Sequence, residues 1–184
     1  KNGYELSHIE GLPPPPARIS FSGNIARKGE TTIIAESDSG EIGVVGRSLQ
    51  EAKVSFEELT KIIDSDLGIS LHENVSFYWC IVHYKVNTGK TPRDEIAKVE
   101  NKDFIARFSQ ILGEDLSSFS IRLAPKDAIP NQESWFDIAI EPDVINAKLY
   151  HVGVVFRSPD RNKTEIFVRD LENILLKLIQ IIEA

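Results

Sequence analysis

The amino-acid sequence predicts an α+β fold, a two-layer sandwich in which helices cover one face of one or more antiparallel sheets. The first observation is a set of short strand-like segments separated by tight turns, which favours antiparallel pairing. The second is an amphipathic helical segment after each group of three strands. The third is the hexapeptide Gly-Val-Val-x-Arg-Ser, which occurs at residues 43–48 and again at 153–158. Together these observations predict an internal duplication, with two βββα units around a β-α insertion.

The predicted domain organisation is a short arm followed by one globular domain. Residues 1–16 end in four consecutive prolines, which favour an extended polyproline II conformation. Residues 17–184 are predicted to form a single globular domain, because 41% of the chain is hydrophobic and can supply a core. Within that domain, two pseudo-repeats at about 17–70 and 117–184 are joined by the β-α insertion at about 74–113.

The first pseudo-repeat contains three predicted strands and one predicted helix. The strands are ARISFSGNI, TTIIAES and EIGVVGRS, and turn-forming residues separate the second from the third. The helix is predicted to begin at Ser55, since Ser55 and Glu58 have the spacing of a capping box. Gly68 marks its predicted end, because glycine readily adopts the left-handed conformation that terminates helices.

The insertion begins with the most hydrophobic segment, VSFYWCIVHYKV, at residues 75–86. Both of its alternating faces carry apolar side chains, which predicts a central strand or a strand with a covered face. Helices are predicted at about 92–100 and 102–112. The second pseudo-repeat then supplies the strands SFSIRLA, SWFDIAIEP and KLYHVGVVFRS and a closing helix at about 169–184.

The segment Gly89-Lys90-Thr91 matches the last three positions of the phosphate-binding loop G-x-x-x-x-G-K-[ST]. The first glycine of that motif would fall at Tyr84, whose side chain would obstruct the tight turn. The same residues are also typical of a turn and a helix start, with Thr91 as the cap and Pro92 as the first helical residue. The helix start is the favoured interpretation, and phosphate binding through Lys90 is the alternative.

Six side chains are the candidate ligand-binding residues of this sequence. Strand alternation places Arg47 and Arg157, the arginines of the repeated hexapeptide, opposite the apolar positions of their strands. Arg122 could line the same kind of surface, Asp137 alternates with apolar residues, and His83 lies near the end of its strand. Such a surface could bind a ligand, whereas balanced surface charge is the simpler interpretation. The full set is Arg47, His83, Lys90, Arg122, Asp137 and Arg157.

The sequence contains no recognisable catalytic or metal-binding motif. Its four histidines do not form H-E-x-x-H, and no pair of them has a metal-ligand spacing with Cys80. Cys80 alternates with Tyr78 and Val82, which is typical of an inert thiol in a core. We therefore expect no catalytic residue, no metal and no cofactor.

The helix at 169–184 is apolar around most of its circumference, which is more than the covering of one sheet requires. Leu171, Ile174, Leu178 and Ile181 follow a helix seam, and further leucines and isoleucines extend around its sides. The insertion helix could cover this surplus, or the same helix of a second copy could cover it in a twofold dimer. The predicted oligomer interface consists of Leu175, Leu176, Ile179 and Ile182.

Charge and composition restrict the classes of function. A net charge of −7 and a pI of about 5.2 oppose nucleic-acid binding, which depends on cationic contacts to phosphate. A single cysteine and the lack of any long apolar run predict a cytoplasmic protein without a membrane span. We expect a non-enzymatic protein-interaction or assembly domain that forms a homo-oligomer or binds another protein. The alternative is a small-molecule or nucleotide-binding protein, which could be an enzyme, using the 87–91 loop and the sheet face near His83.

Overall fold

The computed structural model of the chain describes residues 3–6, 22–127, 129 and 132–184. It contains helices and two antiparallel sheets, which confirms the predicted α+β class. The contacts divide the chain into two compact units, Lys1–Asn74 and Val75–Ala184, referred to below as unit 1 and unit 2. Most of the predicted proline-rich arm lies outside the described residues, as does the beginning of the first predicted strand.

Unit 1 consists of an antiparallel sheet followed by helical segments. Its elements are β1 (Glu5–Leu6), β2 (Ser22–Lys28), β3 (Thr31–Glu36), β4 (Glu41–Val45), α1 (Leu49–Lys61), a π-helical turn (Ile62–Asp66) and α2 (Leu71–Asn74). The strands lie in the order β1-β2-β3-β4, and β1 is a two-residue strand at one edge. The register between β2 and β3 shifts between Asn24 and Ala26, which marks a bulge.

Helix α1 begins earlier than the sequence pattern predicted. Its cap is Ser48, whose side chain accepts a hydrogen bond from the Glu51 backbone N–H at 3.2 Å, so the predicted start at Ser55 is wrong. Ser48 follows β4 closely and can already satisfy the exposed N–H groups of a first turn, so Ser55 lies inside the helix. The predicted end is close to the observed one, because the π-helical turn stops just before Gly68, which has a φ of +65°.

The core of unit 1 lies between its sheet and the helical segment that follows. Its buried apolar side chains are Ala26, Ile33, Leu59 and Ile63. Tyr4 packs against this core, and its hydroxyl donates to the Glu58 carboxylate at 3.2 Å. Lys28 Nζ lies 2.8 Å from the same carboxylate, and its hydrogen bond lowers the pKa of Glu58. Tyr4, next to β1, and Lys28 of β2 therefore both contact Glu58 of α1.

Unit 2 is a second antiparallel sheet with helices packed on one face. Its elements are β5 (Tyr78–Val86), α3 (Pro92–Lys98), α4 (Lys102–Leu112), β6 (Ile121–Leu123), β7 (Trp135–Pro142), β8 (Tyr150–Ser158) and α5 (Arg161–Ile182). The strand order is β5-β8-β7-β6, so β8 pairs with β5 on one side and with β7 on the other. Helix α5 begins earlier than predicted, because Asp160 caps it by accepting hydrogen bonds from the Asn162 and Lys163 backbone N–H groups.

Strand β5 lies at an edge of its sheet, so the prediction of a central strand is wrong. Within the described residues it pairs only with β8, and that pairing continues without a bulge from Tyr78 to Val86. Trp79 and Ile81, on the face opposite the core, are 39% and 51% exposed. The apolar side chains on the outer face of β5 therefore form an exposed surface, and only the inner face packs against the core.

The core of unit 2 lies between the inner sheet face and α5. Ile140, Tyr150 and Val152 are fully buried on the sheet side, and Ile96 of α3 joins them. Helix α5 contributes one buried stripe along its length. That stripe consists of Leu171, Leu175, Ile179 and Ile182.

The helices of unit 2 differ in how much of their apolar surface they bury. Helix α5 is anchored in the core, whereas α4 contributes no fully buried residue. On α4 the half-exposed rings of Phe104 and Phe108 pack against each other with centroids 4.7 Å apart. Among the helices that the structure describes, none is long and apolar enough to cross a bilayer.

Candidate functional site

The sheet of unit 2 has one face that points away from α5, here called the open sheet face. The pairing register arranges its side chains in four rows across β5, β8 and β7. These rows are Trp79–Arg157–Trp135, Ile81–Val155–Asp137, His83–Gly153–Ala139 and Lys85–His151–Glu141. Arg122 of β6 continues the third row beside Ala139. The face is therefore aromatic at one end and rich in histidine and carboxylate at the other.

Glu141, His151 and His83 form a line of polar contacts across three strands, here called the histidine array. Glu141 Oε1 lies 3.1 Å from His151 Nδ1, and His151 Nε2 lies 3.3 Å from His83 Nδ1. The ring planes are 5° from parallel, and the ring centroids are 5.4 Å apart. With both rings neutral, the Glu141 carboxylate accepts the His151 Nδ1 proton, and His151 Nε2 becomes an acceptor. His83 then donates from Nδ1 and keeps its Nε2 lone pair free.

The histidine array depends on the register between β5 and β8. His83 pairs with Gly153 and His151 pairs with Lys85, so the two histidines are diagonal neighbours on one face. Gly153 has no side chain, and a methyl group added there would lie 3.7 Å from His83 Nδ1, so the imidazole lies directly over this glycine. Lys85 Nζ lies 2.9 Å from Asp143, which neutralises the cation beside His151.

Arg157 lies in an aromatic environment at the opposite end of the open sheet face. Its guanidinium carbon is 4.4 Å from the Phe77 ring centroid and 5.2 Å from the Trp79 ring centroid, which are cation–π distances. Trp135 flanks Arg157 from β7 as its cross-strand neighbour. Tryptophan and arginine are enriched at the energetic centres of protein interfaces. The composition of this end of the face is therefore typical of a protein-binding surface.

Arg122 and Asp137 form an ion pair that fixes both side chains to each other. Arg122 Nε lies 2.9 and 3.0 Å from the two Asp137 carboxylate oxygens, and Arg122 Nη2 contacts the same carboxylate. The hydrogen bonds that Arg122 donates to Asp137 raise the pKa of Arg122, so the arginine remains charged. Asp137 is buried while the Arg122 side chain is mostly exposed, so the arginine covers the carboxylate. This pair organises the sheet rather than offering a free ligand-binding group.

The structure brings together only some of the predicted ligand-binding residues. Those on the open sheet face are His83, Arg122, Asp137 and Arg157. Arg47 belongs to unit 1, where its exposed guanidinium lies 2.9 Å from Glu30. Lys90 lies in the loop between β5 and α3. Sequence reasoning did not identify Glu141 and His151 as partners of His83, because only the pairing of strands brings these distant residues together.

The 87–91 loop is held by local hydrogen bonds and by the end of α5. Asn87 Oδ1 accepts a hydrogen bond from the Gly89 backbone N–H at 3.0 Å, which forms a tight turn. Lys90 Nζ donates to the Glu183 backbone carbonyl at 2.6 Å and lies 3.9 Å from the Glu95 carboxylate. Pro92 is the first residue of α3, as the helix-start interpretation predicted. Lys90 is thus engaged by the protein's own carbonyl and carboxylate groups.

Three of the four predicted oligomer-interface residues are part of the core. Leu175, Ile179 and Ile182 are buried against the inner sheet face, where contacts within unit 2 already cover them. Leu176 differs, because 48% of it is exposed. Helix α5 therefore offers a narrower apolar surface than its sequence suggested, although Ile166, Leu176 and Ile181 remain exposed along it.

Two shallow surface depressions among the described residues lie outside the open sheet face. One is lined by residues between Ser109 and Asp115, and the other by residues 3–5 and 27–29 of unit 1. Within the same described ranges, no cluster of three or more His, Cys, Asp or Glu side chains is arranged to hold a metal ion. The open sheet face contributes no residue to either depression.

Comparison with known proteins does not assign the chain to a family. No protein-family model, curated protein sequence or solved structure matches it significantly.

The stability of wild-type protein should depend on acid pH through Asp143. This buried carboxylate follows β7, pairs with Lys85, and accepts hydrogen bonds from the Ile145 and Asn146 backbone N–H groups at 3.1 and 2.8 Å. The hydrogen bond from Lys85, followed by those of the turn, lowers the pKa of Asp143. Because the folded pKa lies below the unfolded value of about 4, the stabilisation is complete above that value. It is lost as the pH falls through the folded pKa.

Denaturant unfolding between about pH 3 and pH 6 measures this contribution. Asp143→Asn keeps an acceptor for the turn but cannot ionise, so its stability should fall less steeply towards acid pH than that of wild type. Lys85→Met removes the main cause of the pKa shift and should also flatten the acid side of the curve. Equal pH dependence in all three proteins would contradict the assignment.

Proposed function

We propose that this protein is an assembly module that binds a second copy of itself through the exposed edge of β5. The observation that carries this proposal is that β5, a nine-residue strand, pairs on one side only within the described residues. An edge strand presents unpaired N–H and C=O groups, and these groups favour the addition of another strand. Hydrogen bonds from these backbone groups to a second copy would be the chemical basis of a non-enzymatic assembly role.

Comparison with the other sheet edges supports this choice. Natural proteins limit edge pairing with short strands, bulges, prolines or charges. The opposite edge of the same sheet is β6, which has three residues, and the two edges of the unit 1 sheet are β1 and β4, which have two and five. In contrast, β5 is long and regular, and Lys85 is its only lysine, arginine or carboxylate residue. Among these edges, β5 is the best template for a further strand.

Antiparallel self-pairing centred on Val82 gives a chemically compatible register. Trp79 then faces the partner's Lys85, whose apolar stem can pack on the indole ring across the new strand pair. Ile81 faces the partner's His83, so the exposed apolar side chain is covered. Each contact occurs twice because the pairing is twofold symmetric, as most homodimer interfaces are. This arrangement also covers apolar surface that β5 exposes in a single copy.

Sedimentation velocity or light scattering at micromolar concentration tests the proposal. We expect a dimer for the wild-type chain and a folded monomer for Ile81→Lys, because the two introduced lysines would be diagonal neighbours across the twofold axis and would repel each other. Ile145→Lys is the matched control, since Ile145 is an exposed isoleucine outside β5 and should leave the dimer intact. Leu176→Glu changes the exposed leucine of α5 and should also leave the dimer intact. This result would distinguish pairing through β5 from a contact through α5. A monomeric wild-type protein would overturn the proposal.

Disulfide crosslinking tests the register. In a Cys80→Ser background, a mixture of Trp79→Cys and Lys85→Cys proteins should form a mixed crosslinked dimer on mild oxidation. Either protein alone should crosslink much less, because each new cysteine would face a non-cysteine residue of its partner. Efficient crosslinking of either variant with itself would indicate a different register or a different interface.

We also propose that β2-β3-β4-α1 and β6-β7-β8-α5 arose by duplication. The support is that both are antiparallel three-stranded arrangements followed by a helix, with the hexapeptide at the end of the third strand. The start of the helix differs, since Ser48 caps α1 and Asp160 caps α5. Sequences of related proteins should show the two segments becoming more alike towards their common ancestor, and a lack of such convergence would argue against duplication.

A further inference from the structure

We propose that His83 and His151 form an open binding site for a divalent transition-metal ion such as Cu²⁺, Ni²⁺ or Zn²⁺. The site is separate from the strand-pairing function proposed above, because both donors belong to one chain and no second copy is required. Imidazole nitrogen is a common ligand for these ions in proteins. Four features of the open sheet face carry the inference: donor spacing, ligand orientation, local charge and access.

The spacing of the two donor nitrogens fits one metal ion. His83 Nδ1 and His151 Nε2 are 3.3 Å apart. Two nitrogens bound tetrahedrally at about 2.0–2.1 Å from one ion lie about 3.3–3.4 Å from each other. The backbone register therefore places the donors at a suitable separation before any ion binds. Ion binding requires the His83 tautomer with the proton on Nε2, which leaves the Nδ1 lone pair free. Small rotations of the two rings, whose terminal torsions are broad, then direct the lone pairs of His83 Nδ1 and His151 Nε2 at a shared ion.

Glu141 orients one of the two ligands. Its carboxylate oxygen lies 3.1 Å from His151 Nδ1, so it accepts the Nδ1 proton and leaves Nε2 unprotonated towards His83. A carboxylate bound to the far nitrogen of a metal-binding histidine is a recurrent arrangement that fixes the tautomer and raises ligand basicity. Glu141 is therefore a positioning residue, and His83 and His151 are the ligands.

The local charges do not oppose an incoming cation as strongly as the sequence suggests. Lys85 is the cross-strand neighbour of His151, but its ammonium group is paired with Asp143 at 2.9 Å. Arg122 lies in the row of His83 and is paired with Asp137. His83 itself is exposed, so an ion can reach the site from solvent. The Glu141 carboxylate adds negative charge beside His151.

The site offers two protein ligands, and water occupies the remaining coordination positions. Within the described residues no third His, Cys, Asp or Glu completes a metal-binding cluster. Such an open site imposes no fixed coordination geometry on the ion. The affinities for the three ions should therefore follow the usual order for nitrogen ligands. We therefore expect Cu²⁺ to bind more tightly than Ni²⁺ or Zn²⁺.

Isothermal titration of the full chain, prepared without a histidine tag, with Cu²⁺, Ni²⁺ and Zn²⁺ tests the proposal. We expect saturable binding of roughly one ion per chain. His83→Asn and His151→Asn should each abolish it, and Glu141→Gln should weaken it by about 10–100-fold. His72→Asn is the matched control, since His72 lies in α2 of unit 1, and it should bind as wild type does. Circular dichroism verifies that each variant is folded.

Tryptophan quenching by Cu²⁺ provides a second measurement. Trp79 lies on the same face of the same strand as His83, so bound Cu²⁺ should quench its emission with the midpoint seen by calorimetry. Unchanged binding in His83→Asn or His151→Asn would overturn the site, as would a wild-type protein that binds none of the three ions. A Glu141→Gln affinity equal to that of wild type would overturn the positioning role of Glu141.

Discussion

Replacing Leu175 with alanine should destabilise unit 2 by about 2–5 kcal/mol. Leu175 is 2% exposed and belongs to the buried stripe of α5, where it packs against the inner sheet face. Truncation removes several methyl and methylene groups from this core and leaves a cavity that its rigid neighbours fill incompletely. Denaturant unfolding followed by tryptophan fluorescence measures the loss, since Trp79 and Trp135 both belong to unit 2.

Leu176→Ala is the matched control for this prediction. The two leucines are consecutive on one helix and have the same helix propensity, but 48% of Leu176 is exposed. Its replacement should change the free energy of unfolding by less than about 1 kcal/mol. Similar losses for the two variants would mean that the buried stripe of α5 is assigned to the wrong helix face, or that Leu176 is covered in an assembly.

The contrast between these leucines shows what the sequence could and could not predict about α5. Periodicity correctly predicted a helix near the C-terminus with an apolar surface. It did not predict which side faces the sheet, because leucine and isoleucine occur around most of the helix and the phase is ambiguous. The sheet selects the face, through contacts with residues far away in the chain. Three residues predicted for an oligomer interface are consequently in the core.

Helix starts were difficult for a different reason. Both Ser48 and Ser55 can act as a cap, and the local capping-box pattern favoured Ser55. The chain uses Ser48, which satisfies the first N–H groups of a helix directly after β4. At α3 a single proline made the decision easier, because Pro92 fits the first turn and few other positions of a helix. Local sequence therefore predicts a boundary well only where one residue excludes the alternatives.

Strand order was the least predictable feature and has the largest effect on the candidate site. Alternation placed Arg122, Asp137 and Arg157 on an open sheet surface, and these three do share one sheet face with His83. Alternation along one strand does not identify the neighbouring strand or its register. The approach of His151 to His83 and the edge position of β5 both follow from the order β5-β8-β7-β6. The charge and motif content of the sequence could not specify that order.

Replacing Leu59 with alanine should unfold unit 1 at a lower temperature or denaturant concentration than any surface substitution on α1. The fully buried apolar core described for unit 1 consists of Ala26, Ile33, Leu59 and Ile63, which is a small set. A Leu→Ala truncation in a core costs about 2–5 kcal/mol, which is a large part of the 5–15 kcal/mol that stabilises a typical domain. Small cores have little further burial to offset such a loss.

Hydrogen exchange measured by mass spectrometry locates the effect of Leu59→Ala, because peptides from unit 1 and unit 2 are resolved separately. Exchange should accelerate in β2, β3 and α1, and Val54→Ala, on an exposed position of the same helix, should leave it nearly unchanged. Tryptophan fluorescence reports only on unit 2, where both tryptophans lie. An unfolding transition of unit 2 that stays at its wild-type position would mean that each core stabilises its own unit. A tryptophan transition that shifts with unit 1 would instead mean that the chain unfolds as one cooperative body, and that the small core of unit 1 also limits the stability of the open sheet face.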